Sequence, residues 1–248
     1  MGGTTDSSET SSTGLEAPLP KQREQFVIAV RKLCEFAAKS GDLDIRFTPS
    51  PTAQEGIAGH KTVAARRGES HRSEVWLTGR HENLLVKGRA DGFDESERLL
   101  EEVKTFRGDL AKMPSNKRAL HWAQAKVYGW LLCEKFELAK LRIRLVYFDI
   151  ASEQETPLEE SCTSEELKRG FQALCSQFTA WAQQELEHQA SRNSSLSGLA
   201  FMHSEFRIGQ RALAENTYKA IKRGRCLMAQ ADTGIGKTVG TIFLALKE

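Results

Sequence analysis

The sequence predicts an α/β chain. Three observations point there: helical and strand-like apolar patterns alternate over residues 21–190, the hydrophobic content of 40% is enough for a core, and the chain closes on an apolar run, a glycine loop and an apolar helix. At 248 residues there is room for one substantial domain and part of another.

In chain order, Met1 to Pro20 is rich in Ser, Thr and Gly, with neither a basic start nor an apolar stretch. It reads as a disordered tail, not a signal peptide or membrane span. From Glu24 to Lys39, Phe26, Val27, Val30, Leu33, Cys34 and Ala37 follow helical spacing, and Ser40-Gly41-Asp42 stops the helix. Phe47 to Gly59, with two prolines, is a loop or a broken approach to a short helix. Glu74 to Thr78 and Asn83 to Asp91 read as antiparallel strands turning at Gly79-Arg80-His81.

Leu99 to Phe106 fits a strand, yet Leu99, Leu100, Val103 and Phe106 also match helical spacing. A helix over Asn116 to Lys135, a strand over Leu141 to Ile150 and a helix from Ser164 to about Ala190 follow. Ser191 to Gly198 has a linker's composition. The expected boundaries are a tail over 1–20, a first domain over 21–190, a linker over 191–198 and a second, incomplete domain over 199–248.

A net charge of +2 excludes a globally basic nucleic-acid binder but not a local basic groove. Arg66, Arg67, Arg72, Arg80, Arg107, Lys112, Lys117 and Arg118 are candidates for such a track, with Trp122 available to stack on a base; ordinary solvated charge is the competing reading. The five cysteines form no close pair. That argues against zinc, iron–sulfur and secreted-disulfide scaffolds and for free thiols in the cytoplasm.

Near the C-terminal end, Cys226 to Ala229 reads as a buried strand, and Val239 to Leu246 as a helix. Between them, Gly234 and Gly236 let the backbone amides curl toward an anion. Lys237 would reach the outer phosphates and Thr238 would hold Mg2+. With Arg207-Ile208-Gly209-Gln210 upstream, this segment resembles the start of the superfamily 2 DNA helicases of the XPD and DinG type. The resemblance implies a RecA-like ATP-binding domain in which Gln210 contacts adenine. Ten residues follow Thr238, too few for the remaining helicase motifs, so the expectation is an N-terminal piece of a longer helicase.

The acidic residues give the first domain its chemistry. Asp91 ends the run from Leu84, and after a turn comes Glu101-Glu102-Val103-Lys104. On a strand, Glu102 and Lys104 share a face, and with Asp91 they would place two carboxylates beside an ammonium. A register shifted by one residue would turn Glu101 inward instead. Such a group suits metal-assisted hydrolysis of a phosphodiester, since carboxylate oxygens bind Mg2+ or Mn2+. Alone, Glu-Val-Lys is as readily a solvated acidic segment.

Gly56 to His60, Gly88-Arg89-Ala90-Asp91, Glu102-Val103-Lys104, and Gln124 with Tyr128 four residues on together resemble the PD-(D/E)xK nucleases of the RecB-like branch. The resemblance covers roughly Glu24 to Ala190 and implies a restriction-endonuclease-like core, a mixed sheet flanked by helices. It implies metal ligation by Asp91, Glu102 and His60, a catalytic Lys104, and Gln124 and Tyr128 contacting DNA or supporting the site. The expected parent activity is ATP-dependent unwinding coupled to metal-dependent DNA cleavage in repair. The partners are DNA, ATP and the remainder of the helicase or another repair protein. The alternative is a non-catalytic DNA-binding or loading module.

Overall fold

The computed structural model describes residues 25–41 and 50–247. The tail over Met1 to Pro20, Asp42 and the start of the Phe47 to Gly59 segment lie outside them. The chain divides into two compact units, Met1–Ser176 and Gln177–Glu248, and the division falls within one helix.

The first unit holds a six-stranded mixed sheet. Strand β1 is Phe26–Ala29, and helix α1, Val30–Ala37, follows without a break. The single helix expected from Glu24 is thus corrected. Residues 26–29 combine a strand-favouring run with a partner, pairing in parallel with Leu84–Lys87. Tertiary pairing outweighs the helical spacing there.

Helix α2, Ala53–Ala65, starts earlier than the loop reading placed it. Thr52 and Glu55 form a capping box: the Thr52 hydroxyl accepts from the Glu55 amide, and the Glu55 carboxylate accepts from the Thr52 amide.

Strands β2, His71–His81, and β3, Leu84–Asp94, form the expected hairpin, but each is longer and the turn is Glu82-Asn83. Glu82 takes a left-handed φ of 49° to close it. Residues 99–106 resolve as a strand, β4, Leu99–Phe106. After a short 3-10 turn come α3, Ser115–Phe136, and β5, Lys140–Asp149, near their expected limits. Strand β6, Glu155–Thr163, has no counterpart in the sequence reading. Its Glu159 and Glu160 lack strand patterning and are held by cross-strand pairing with Arg144 and Ile143 of β5.

One register detail creates the site. Strand β2 lies along one side of β3 for nearly its whole length. On the other side β1 pairs with Leu84–Lys87 and β4 only with Gly92–Asp94, so Gly88 to Asp91 have no strand partner there. β4 then leaves β3 to pair in parallel with β5 over residues 99–106.

Helices pack on both faces. On one, Gly88 admits the Tyr128 ring of α3: a β-carbon there would stand 2.7 Å from Tyr128 Cε1 and 2.8 Å from Val30 Cγ2. On the other, Gly59 lets α2 settle onto β4, where a β-carbon would meet Thr105 Cγ2 at 2.6 Å. Val63, Val103, Val146 and Phe148 form the core beneath α2, while Leu131, Leu132, Ile143 and Leu145 are buried beneath α3. Burying each such side chain contributes about 1.5–3 kcal/mol.

Helix α4 is Ser164–Ser197, so the Ser191 to Gly198 stretch is helical through Ser197 where a linker was expected. The Ser195 and Ser197 hydroxyls donate back to the carbonyls of Arg192 and Ser194, which satisfies them within the helix. The second unit also holds α5, Gln210–Lys222, and α6, Lys237–Lys247. Cys226 to Ala229, expected as a buried strand, has no regular structure and is exposed. Among the described residues of this unit no strand is present to pair with it, and an isolated strand leaves its backbone groups to water.

None of the five cysteines is joined in a disulfide. Among the described residues no helix is long and apolar enough to cross a membrane.

Candidate active site

The fork between β3 and β4 brings the acidic residues together. Asp91 stands where the strands part, and its Oδ2 accepts a 2.7 Å hydrogen bond from the Val103 amide, tying the arms across the opening. Its Oδ1 meets His60 Nδ1 of α2 at 3.1 Å. That contact is the main cause holding the imidazole pKa above its ordinary value.

Glu102 and Lys104 share a face of β4, as alternation requires. Lys104 Nζ donates to Glu102 Oε1 at 2.7 Å and to Gln124 Oε1 of α3 at 3.0 Å. Glu102 is 2% exposed, and burial pushes its carboxyl up to about 7, with Lys104 opposing and Asp91 reinforcing. Its Oε2 is buried and takes no hydrogen bond among the described residues. Tyr128 hydrogen-bonds the Gln124 side chain and the Arg89 backbone, and burial raises its hydroxyl pKa. The Gln124 side chain thus links the Lys104 ammonium to the Tyr128 hydroxyl.

Between the arms lies an open cavity of about 350 Å3 lined by His60, Asp91, Glu102, Lys104, His121 and Gln124. The sequence reading missed His121, whose pKa burial lowers to about 3. Its Nδ1 lies 3.0 Å from the Tyr147 hydroxyl. It also missed Cys34 and Arg89 at the cavity wall. The alternation of β3 could have flagged Arg89, two residues before Asp91; nothing local marks Cys34 or His121.

Glu101 points to the opposite face. It accepts from Arg67 Nε at 2.7 Å and from Arg144 NH1 at 3.0 Å, and is 2% exposed. This network settles the one-residue ambiguity: two guanidiniums hold Glu101 away from the cavity, so Glu102 faces it.

The buried carboxylate oxygen with no partner among the described residues and the second carboxylate across the opening are hard oxygen donors of the kind Mg2+ or Mn2+ takes, while the imidazole beside Asp91 is a softer nitrogen donor. Among the described residues no three His, Cys, Asp or Glu side chains stand in a ligating arrangement. Lys104 occupies one Glu102 oxygen, while the Val103 amide and His60 Nδ1 occupy the two Asp91 oxygens.

Among the described residues, five of the eight cations of the expected basic track have carboxylate partners. Arg66 pairs with Glu153 and Glu155, Arg67 with Glu101 and Glu155, Arg72 with Glu95, Arg107 with Glu55 and Lys112 with Asp109. Trp122 has Lys126 over its ring at 5.7 Å.

In the second unit, Gly234 and Gly236 take left-handed φ values of 87° and 80° ahead of α6. Lys237 Nζ folds back onto the Ala231 and Asp232 carbonyls, and Arg207 reaches the Gly234 carbonyl. Gln210 is 1% exposed. Its Nε2 donates to the Gly236 carbonyl at 2.9 Å and its Oε1 accepts from the Arg207 amide at 3.1 Å. The Gln210 amide thus ties the Arg207 backbone to the glycine loop.

No family model matches the sequence, and no curated protein does. Among solved structures the chain is similar to SSO0001, with 21% identity and a TM-score of 0.39 over 62% of this chain and 78% of that one. It is also similar to a phage-related exonuclease from Haemophilus somnus 129PT, with 15% identity and a TM-score of 0.39 over 64% of this chain and 82% of that one.

Proposed function

We propose that the first unit is a divalent-metal-dependent deoxyribonuclease of the PD-(D/E)xK type. The observation that carries this reading is the buried Oε2 of Glu102, which takes no hydrogen bond among the described residues, on a side chain that lines one cavity with Asp91 and Lys104. A carboxylate so placed suits a cation, since leaving it buried and unpaired costs about 1–3 kcal/mol or more.

Asp91, Glu102 and His60 would hold Mg2+ or Mn2+, which when bound supplies a hydroxide near neutral pH and polarises a phosphodiester. Lys104 is held by Gln124 at a fixed reach, so its ammonium can orient water or offset charge on the phosphorane. Tyr128 keeps Gln124 in place from behind.

The test is cleavage of single- and double-stranded DNA by this chain with Mg2+ or Mn2+, beside Asp91→Ala and Lys104→Ala. The expected result is metal-dependent cutting lost in both variants. No cutting by folded wild type, with DNA binding intact, leaves the loading-module reading in its place.

A second reading concerns Gln177–Glu248. The left-handed Gly234 and Gly236 before α6 favour an anion-binding turn, in line with the start of a helicase ATP site in which Lys237 and Thr238 meet the phosphates and Mg2+ and Gln210 lies against the nucleotide. Titration with a fluorescent ATP analogue should show Mg2+-dependent binding lost in Lys237→Ala. Equal signals from both proteins would remove this reading.

A further inference from the structure

The face of the sheet on which Asp91 stands continues past the cavity and is open. Along β3, Val86, Gly88 and Ala90 turn inward or are partly covered, while Lys87 and Arg89 are exposed; along β2, Leu77 and Gly79 are buried while Trp76 and Thr78 are exposed. Trp76 is 69% exposed, an unusual state for the largest apolar side chain. It pairs across the strands with Arg89, whose guanidinium lies over the indole at 5.7 Å. Arg89 also lines the cavity with Asp91 and Glu102. One residue therefore touches both the exposed aromatic and the cleft.

We propose that Trp76, with Arg89 and Lys87, forms a stacking platform that holds a base of single-stranded DNA and leads its backbone into the cleft. The proposal rests on the nuclease reading of that cleft and names its substrate form. An exposed indole stacks on any base without sequence preference, and adjacent cations neutralise the flanking phosphates. A base inside a duplex has no free face to offer. Among the described residues Glu74 is the one carboxylate paired to this patch, 3.1 Å from Arg89 in a solvent-exposed bridge. Exposed bridges of this kind are weak, so a phosphate can replace it.

The test is binding of fluorescein-labelled oligothymidylate to the full chain in EDTA, where no cutting occurs, beside an abasic strand with the same number of phosphates. Trp76→Ala should weaken oligothymidylate binding on the order of tenfold and leave abasic binding nearly unchanged, with Trp76→Phe recovering part of the loss. Arg89→Ala should weaken both strands and lower the salt slope by about one. Trp76 is exposed, so its replacement does not threaten folding. Equal affinity of Trp76→Ala and wild type for oligothymidylate, equal losses on both strands, or no binding by wild type would each overturn the proposal. If this binding pattern holds and the protein never cuts with Mg2+ or Mn2+, the nuclease reading fails alone. If cutting is present without the pattern, only the platform fails.

Discussion

At the scale of single residues, environment separates side chains that the sequence presents as equals. Glu101 and Glu102 are adjacent and identical, yet Glu101 is neutralised by Arg67 and Arg144 while Glu102 keeps one oxygen unpartnered. His60 and His121 diverge likewise. Asp91 raises the first above its ordinary pKa, whereas burial, with Lys104 and Lys117 nearby, lowers the second from 6.5 to about 3. Folding thus favours neutral His121. Its contribution is present in full above pH 6.5 and is lost as pH falls toward 3. Denaturant unfolding across that range should show a shallower acid loss for His121→Gln than for wild type. Parallel curves would mean that His121 is not held neutral.

At the scale of elements, β4 is the pivot of the site. It pairs with β3 through three residues and with β5 through eight, so a force other than the β3 ladder must fix which way its side chains point. The Arg67–Glu101–Arg144 network supplies it from the far face, with Glu155 and Glu159 completing the guanidinium contacts. Glu101→Gln keeps the shape and removes the charge. It should cost about 1.5–3 kcal/mol, the range for hydrogen bonds to charged groups, measured by the urea midpoint at constant slope. No change in midpoint would mean that β4 is held by apolar packing alone. The strand was half legible: its limits match the expectation of Leu99 to Phe106, but its periodicity fitted a helix equally, and burial on both faces erased the alternation that would have decided it.

At the scale of the whole molecule, the two units differ in how they hold their backbone. The first buries a sheet under helices on both faces. In the second, residues 225–236 have no regular structure, and Met228 is 99% exposed. Limited trypsin digestion should therefore cut first near Arg223 or Arg225, leaving a product that contains the first unit intact. Early cutting within β2 to β5 would contradict this description of the fold. The Ser191 to Gly198 stretch shows why such segments deceive: serine and asparagine suggest a linker, yet serine hydroxyls can bond within their own helix.

The sequence by itself determined the α/β class and most element positions in the first unit, and it singled out Asp91, Glu102 and Lys104, which the fold brings to one cavity, because alternation, helical spacing and motif intervals are local properties. Only the tertiary structure decided that residues 26–29 are a strand, that β6 exists, that Glu102 and not Glu101 faces the cavity, and that Gln210 braces a loop. Each depends on a partner distant in the chain: Leu84–Lys87 for β1, β5 for β6, Arg67 and Arg144 for Glu101, and the Gly236 carbonyl for Gln210. Pairing of that kind is a property of the folded chain as a whole, and no local pattern of residue types encodes it.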